Sequence, residues 1–139
     1  VVVQNFKPGV MASMGLDYES LKALREDIIL CSISALGQTG PLALKPGYDY
    51  IAQAYAGITS MIGDPDAPPY IPQAAIGDVS TGVHAALAVT SALLYHARTG
   101  KGQHLDIGLL DVSCNRSARG VTWDISRRRG SLPLRTVPF

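Results

Sequence analysis

The chain has 139 residues, of which 47% are hydrophobic and 17% are charged, and its formal net charge is +1. This composition predicts one soluble, globular core of ordinary domain size. The longest membrane-like run, residues 85–95, has half of the ~20 residues that a spanning helix needs, so we predict no membrane segment. Cys31 and Cys114 lie far apart with no CxxC pair, so the sequence indicates neither a disulfide framework nor a zinc site, and a reducing cytoplasm is the default expectation.

The first strand and helix are predicted near the amino terminus. Residues 1–4 are apolar and β-branched, and Pro8 and Gly9 close this strand in a turn. Asp17 is placed to cap a helix over residues 18–26, in which Leu21 and Leu24 share a face, and residues 28–34 form a second strand. This order favours a parallel α/β layer, whose ligands bind at the carboxyl ends of the strands, here residues 5–9 and 34–41.

Two longer helices are predicted in the second half. Residues 48–62 fit a helix with one buried stripe, and the stripe contains Ile51, Ala54, Tyr55, Ile58 and Ile62. A loop follows over residues 63–72. Asp78 then caps a helix over residues 79–97 that is apolar enough to be buried on most sides. Gly100 and Gly102 stop it, residues 103–108 alternate as a strand, and Leu109 begins another apolar segment.

Charge divides the chain into two parts. Residues 1–114 hold six Lys and Arg against ten Asp and Glu, whereas residues 115–139 hold six Arg against Asp124 alone and show no regular period. The scarcity of aromatic side chains disfavours an arm for nucleic acid or anionic lipid. A disordered tail and an out-of-frame tail remain open. We therefore predict a domain at 1–114 and a basic tail at 115–139, and the start at Val1 without Met predicts an internal fragment.

Asp78 is the strongest candidate for chemistry. It stands where a glycine-containing loop enters an apolar helix, so its carboxylate is positioned and poorly solvated, as a nucleophile or proton carrier requires. The structural alternative is an ordinary helix cap. Tyr48, thirty residues earlier, is a hydroxyl donor or a half-buried aromatic, and Asn5 is a binding residue or a turn residue. The spacing of the three histidines matches no common metal site.

These motifs together resemble the family III CoA-transferases, also called the CaiB/BaiF family. The resemblance runs through Asn5-Phe6-Lys7-Pro8-Gly9-Val10-Met11, Met14-Gly15-Leu16-Asp17-Tyr18, Cys31-Ser32-Ile33-Ser34, Gly37-Gln38-Thr39-Gly40-Pro41, residues 46–54, Gly77-Asp78 and residues 99–106. It implies a partial Rossmann-like parallel layer with flanking helices, an incomplete part of that family's interlocked-dimer fold.

The resemblance also implies an activity and its residues. Asp78 would attack an acyl-CoA thioester and pass through an aspartyl mixed anhydride and an aspartyl-CoA thioester, with a carboxylic acid as acceptor. Gly77 would let the thioester approach closely, and Tyr48 would offer a hydroxyl near the acyl group.

The CoA site would be lined by Asn5, Phe6 and Met14. Ser13 stands where the family usually has a basic residue, which leaves Lys7 and Lys45 as the cations for a CoA phosphate. CoA would be a substrate and not a resident cofactor. The implied partners are acyl-CoA, a carboxylic acid and a second copy of the chain, with no nucleic acid, membrane or metal.

Two alternative functions follow from the same residues. The α-methylacyl-CoA racemases, which are close relatives of the family, use a two-base pair and have a histidine where this chain has Tyr48. Tyr48 therefore favours transfer over racemisation, because a tyrosine is a poor base at neutral pH. The other alternative is a catalytically inactive remnant.

Overall fold

The computed structural model describes residues 1–64, 66–68 and 74–114. Within them, one parallel sheet contains β1 (Val2–Gln4), β2 (Ile29–Ser34) and β3 (Gln103–Gly108), in that spatial order. The helices are α1 (Val10–Ser13), α2 (Tyr18–Leu24), α3 (Asp49–Tyr55) and α4 (Ile76–Thr99), with a 3-10 turn at Ile58–Met61. Residues 109–114 are also helical, and we call them the terminal helical segment. The predicted α/β layer is confirmed.

β2 is the centre of the sheet and of the core. It pairs with β1 from Leu30 to Ser32 and with β3 along its whole length, so both of its edges are hydrogen-bonded. Leu30 and Cys31 are almost completely buried. A strand covered on both faces reads as a short continuous apolar run, which is why the sequence pattern identified it. All three strands end near the positions that were predicted from the sequence.

α2 begins where the sequence predicts and ends two residues earlier. Asp17 is its N-cap, and the Asp17 carboxylate accepts a hydrogen bond of 3.0 Å from the backbone N–H of Ser20. No residue of α2 is buried, and Leu24 is 85% exposed. The pairing of Leu21 with Leu24 therefore does not form a buried stripe in this part of the chain.

The prediction for residues 48–62 was wrong in length and in orientation. The helix ends at Tyr55, because Gly57 adopts a left-handed φ of 77° before the 3-10 turn. The buried residues of α3 are Asp49, Ala52 and Gln53, on the face opposite to the predicted apolar stripe. Of that stripe, Ile58 is buried, but Tyr55 is 51% exposed. The polar face turns inward because its side chains hydrogen-bond beneath α4, as described below.

α4 was predicted to be buried on most sides, and this was also wrong. Its inward face consists of small residues, Gly77, Ser80, Thr81, Ala85 and Ala92, which let the helix approach β2 and β3 closely. Val79, Val83 and Leu87 are each more than 60% exposed on the opposite side. Gly100 ends the helix as predicted, with a left-handed φ of 71° and its N–H donated to the carbonyl of His96.

Two sequence predictions lie wholly or partly outside the described residues. The basic tail at 115–139 is one, and half of the loop at 63–72 is the other. None of the helices among the described residues combines the length and the apolarity needed to cross a lipid bilayer.

Candidate active site

Asp78 lies in the first turn of α4. The sequence predicted it as the helix cap, but the helix begins at Ile76 and its N-cap is Ala75, which has no side-chain capping bond. Asp78 is therefore the third helical residue, and its side chain is exposed. The unpaired N–H groups of a first turn carry partial positive charge, so a carboxylate here faces the positive end of the helix dipole.

A second carboxylate, Asp49, lies directly beneath this turn. Asp49 is the first residue of α3 and is 4% exposed. Its Oδ1 accepts a hydrogen bond of 3.0 Å from the backbone N–H of Gly77 and one of 2.9 Å from Nε2 of Gln53. The N–H of the residue before Asp78 is thus held by a buried carboxyl group.

Asp49 was missed by the sequence analysis, although a signal was present. Asp49, Ala52, Gln53 and Ala56 follow the helical spacing of i, i+3, i+4 and i+7, and all four are buried. The stripe on the other face is more apolar and is therefore the stronger signal in the sequence. An acid and an amide at i and i+4 on the face with the smallest residues would have been the clue to a buried polar contact.

Gly77 is a glycine because of Asp49. A Cβ on Gly77 would overlap Oδ1 of Asp49 and would come within 3.5 Å of Oγ of Ser113, in the terminal helical segment. Three elements therefore meet at this backbone position, and only a residue without a side chain fits between them. This packing is a sufficient reason for the glycine. The close approach of a thioester at Gly77 remains a prediction.

Two features of its surroundings act on the Asp78 carboxyl. The pKa of Asp78 is raised, first by its partial burial and second by the negative charge of Asp49. Both causes disfavour the ionised form of Asp78. The carboxylate is therefore more basic than an ordinary surface aspartate even though water reaches it.

Tyr48 lies at the N-cap of α3, next to Asp49 in the chain. Its side chain is 66% exposed, and its ring makes an edge contact with Tyr50 at 6.1 Å between centroids. The hydrogen bond from Gly77 to Asp49 thus joins the residue after Tyr48 to the residue before Asp78. The backbones of Tyr48 and Asp78, both predicted site residues, therefore lie close together.

A cleft lies at the carboxyl ends of β1 and β2. It has a volume of about 170 Å³, and its lining includes Asn5, Phe6, Lys7 and Lys45. Four of the five residues predicted for CoA are therefore brought together, as the rule for parallel sheets leads us to expect. The fifth, Met14, follows α1, is 50% exposed and does not line the cleft.

The chain leads directly from this cleft to the carboxylates. Pro46 and Gly47 line the cleft and immediately precede Tyr48 and Asp49. On the amino-terminal side, buried Gln4 accepts a hydrogen bond of 2.7 Å from the N–H of Phe6 and so holds the loop after β1. In residues 1–64, 66–68 and 74–114, no group of three or more His, Cys, Asp or Glu is arranged to hold a metal ion.

Known proteins resemble this chain in sequence and in structure. The sequence is 47% identical over 112 residues to the succinate–glutarate CoA-transferase of Agrobacterium fabrum, a match that covers 81% of this chain and 28% of the relative. It is 43% identical over 112 residues to the acetyl-CoA:oxalate CoA-transferase of Acetobacter aceti, covering 80% and 29%. The chain thus spans less than a third of the length of these relatives.

The fold has a solved counterpart. The crystal structure of a CaiB/BaiF family protein from Brucella suis superposes with a TM-score of 0.84 and 41% sequence identity, covering 94% of this chain and 34% of that one. A sequence model described as CoA-transferase family III matches residues 1–133. This chain therefore belongs to CoA-transferase family III.

Proposed function

We propose that this chain carries the acyl-accepting carboxylate of an enzyme that moves CoA from an acyl-CoA to a carboxylic acid. The observation that carries the proposal is the pair formed by Asp78 and Asp49. Asp78 is exposed at the start of a 24-residue helix, and Asp49 is buried beneath the preceding amide. An accessible carboxylate with a raised pKa on a fixed backbone meets the requirements of a nucleophile.

In the first half-reaction, CoA passes from the donor acid to Asp78. An oxygen of Asp78 attacks the thioester carbonyl, the carbon–sulfur bond breaks, and CoA leaves as the thiolate, which gives an acyl-aspartyl anhydride. The thiolate then attacks the aspartyl carbonyl of the anhydride and expels the donor as its carboxylate. Asp78 is left as an aspartyl-CoA thioester. No oxidant, reductant or metal is needed for this exchange.

The second half-reaction runs these steps in the opposite order. The acceptor carboxylate attacks the aspartyl thioester, releases the thiolate and forms a new anhydride with Asp78. The thiolate attacks the acceptor carbonyl, which yields the new acyl-CoA and frees the Asp78 carboxylate. Each tetrahedral intermediate carries negative charge, and the positive end of the α4 dipole supports that charge.

The cleft beside β1 and β2 supports the CoA part of the proposal. Lys7 and Lys45 offer two cations for phosphate groups, and Phe6 offers an apolar face. The Tyr48 hydroxyl, which is exposed beside Asp49, is assigned to the acyl group. Met14 lies away from this cleft, so its place in the CoA site rests on the family resemblance alone.

The names of the relatives suggest the acceptor. They include succinate, glutarate, oxalate and D-citramalate, all short dicarboxylic acids. We extend the proposal to acceptors of this class. On the family resemblance we further propose that the intact enzyme is a homodimer and works in the cytoplasm.

A graft tests the nucleophile. Residues 1–114 would replace the matching stretch of the Agrobacterium fabrum relative, which supplies the rest of a transferase. The graft would be mixed with succinyl-CoA, glutarate and hydroxylamine, and its peptides analysed by mass spectrometry. We expect a hydroxamate on Asp78 and glutaryl-CoA in solution.

Two variants of the graft serve as comparison. Asp78→Ala should abolish both products, while Asp66→Asn, an exposed aspartate in the loop before α4, should leave both unchanged. Turnover by a graft in which Asp78 is never modified would rule out the anhydride route. Exchange of an α-proton of a 2-methylacyl-CoA with deuterium, with no need for an acceptor, would instead identify a racemase.

A further inference from the structure

Asp49 is a buried acid where a neutral amide side chain would satisfy the same contacts. One of its oxygens accepts two hydrogen bonds, but Oδ2 is buried and has no partner among the described residues. Oε1 of Gln53 and Oγ of Ser113 are also buried and also have no hydrogen-bond partner among the described residues. An asparagine could accept the Gly77 bond with Oδ1 and offer Nδ2 to a neighbouring oxygen, without the cost of burying a charge.

Packing alone therefore does not explain why an acid stands at position 49. Asp78 is a described carboxyl whose pKa is raised, first by partial burial and second by the negative charge of Asp49. We propose that Asp49 is a positioning residue: its buried carboxylate holds the first turn of α4, and its negative charge drives Asp78 toward acylation. The part that concerns acylation rests on the function proposed above.

The hydrogen bond to Gly77 fixes the geometry. The N–H of Gly77 is that of the residue before Asp78, and its donor–acceptor distance of 3.0 Å to Asp49 Oδ1 is ordinary for an N–H···O hydrogen bond. Gln53, one turn further along α3, holds the other side of the same oxygen. The turn that presents Asp78 is thus anchored to α3 and cannot shift without breaking a buried hydrogen bond.

The charge acts through repulsion that acylation removes. When Asp78 attacks the thioester, an oxygen–carbon bond forms, the carbon–sulfur bond breaks, and the negative charge of Asp78 leaves with the sulfur. The anhydride at Asp78 is neutral, so it no longer opposes Asp49. Like charges at close range disfavour the free carboxylate, and this difference favours the covalent intermediate.

Other titratable groups on the packed elements do not account for the effect. Tyr48 and Tyr50 lie at the start of α3, but among the described residues the charge that shifts the pKa of Asp78 is that of Asp49. His84, on α4, contacts the carbonyl of Ser80 at 2.8 Å. Asp111 lies against Gly108, on the terminal helical segment.

The test is a carbon-13 NMR titration of aspartate carboxyls in the full chain, with amide hydrogen exchange measured on the same samples. In Asp49→Asn we expect the titration midpoint of Asp78 to move toward lower pH while the Gly77 amide stays protected. In Asp49→Ala the midpoint should move in the same direction, and the Gly77 amide should exchange roughly five- to tenfold faster because one hydrogen bond is lost. Asp66→Asn should change neither.

Each result of these measurements supports or contradicts the proposal. An unchanged midpoint for Asp78 in Asp49→Asn would overturn the proposal, and so would failure of that variant to fold, since Asn can make the same backbone contact. The rate at which acyl-CoA and hydroxylamine modify Asp78 should fall in Asp49→Asn, and an equal rate would refute the acylation claim. If wild-type Asp78 is never modified, the proposed function fails while the titration still decides the positioning role.

Discussion

At the scale of single residues, Asp49 and Gly77 are matched to each other. The carboxylate of Asp49 occupies the space that a Cβ on Gly77 would need, and it accepts the Gly77 N–H. Each residue therefore restricts the other: a larger residue at 77 displaces the acid, and loss of the acid leaves a buried amide without its acceptor. This reciprocal fit places Asp78 on the surface at a defined position.

Replacing Gly77 tests this fit. We expect Gly77→Ala to lower the free energy of unfolding by about 1–3 kcal/mol, because the methyl group overlaps Asp49 Oδ1 inside a closely packed site. Gly82→Ala is the matched control in the same helix. A Cβ there meets nothing within 4 Å, so the substitution should stabilise the chain by about 0.5–1 kcal/mol through helix propensity.

Urea unfolding of the two variants and the wild type gives the measurement. If Gly77→Ala were as stable as Gly82→Ala, the contact between Gly77 and Asp49 would not exist in solution.

At the scale of elements, the far end of α4 is tied to the sheet by a second acid. Asp27, just before β2, accepts a hydrogen bond of 2.7 Å from Nε of Arg25 and lies 2.8 Å from Nε2 of His96, near the end of α4. Asp49 holds the start of the same helix. Both ends of this 24-residue helix therefore contact an aspartate from another segment, Asp49 at the start and Asp27 near the end.

The Asp27 contact predicts a dependence of stability on pH. Arg25, and then His96, hold the pKa of Asp27 well below its ordinary value of 3.8 in the folded chain. Since the unfolded chain binds the proton more readily, this contribution is present above about pH 4 and is lost as the pH falls further. We expect acidification from pH 5 to pH 2 to destabilise the wild type more than Asp27→Asn.

Denaturant unfolding at a series of pH values measures the difference. Asp66→Asn serves as the control, because the Asp66 side chain is exposed in a turn. Identical acid sensitivity in the wild type and Asp27→Asn would show that the contact does not persist in solution.

At the scale of the whole molecule, apolar side chains on one face of α4 remain uncovered. Val79, Val83, Leu87 and Leu94 follow one side of the helix, and they are between 55% and 68% exposed. An exposed stripe of this length is typical of a surface that packs against another protein surface or aggregates. The burial of small residues and the exposure of large ones on the same helix is the reverse of the usual arrangement.

The stripe predicts self-association of this chain. We expect sedimentation of the wild type to show species larger than a monomer at micromolar concentration. The double substitution Val83→Gln with Leu87→Gln should shift the distribution toward monomer, whereas Leu24→Gln, a single exposed apolar residue on α2, should have no effect. A monomeric wild type would show that the stripe alone does not drive association.

The sequence by itself determined the local elements and the family. The three strands, the Asp17 cap and the Gly100 stop were predictable, because each depends on residues close together in the chain. The parallel direction was predictable from the alternation of strands and helices. The motifs around Asn5 and Asp78 identified CoA-transferase family III, which the comparisons confirm.

Only the tertiary structure decided which faces are buried and which acid supports Asp78. Periodicity ranks helix faces by apolarity, so it predicted that the face with Ile51 and Tyr55 is buried. It did not identify Asp49, which lies 28 residues before its hydrogen-bond partner Gly77. A hydrogen bond between residues that far apart leaves no local pattern, because it depends on where two separate helices meet. For the same reason the glycine at 77 was predictable as a special residue, but its physical cause, the Asp49 carboxylate, was visible only once α3 and α4 were packed together.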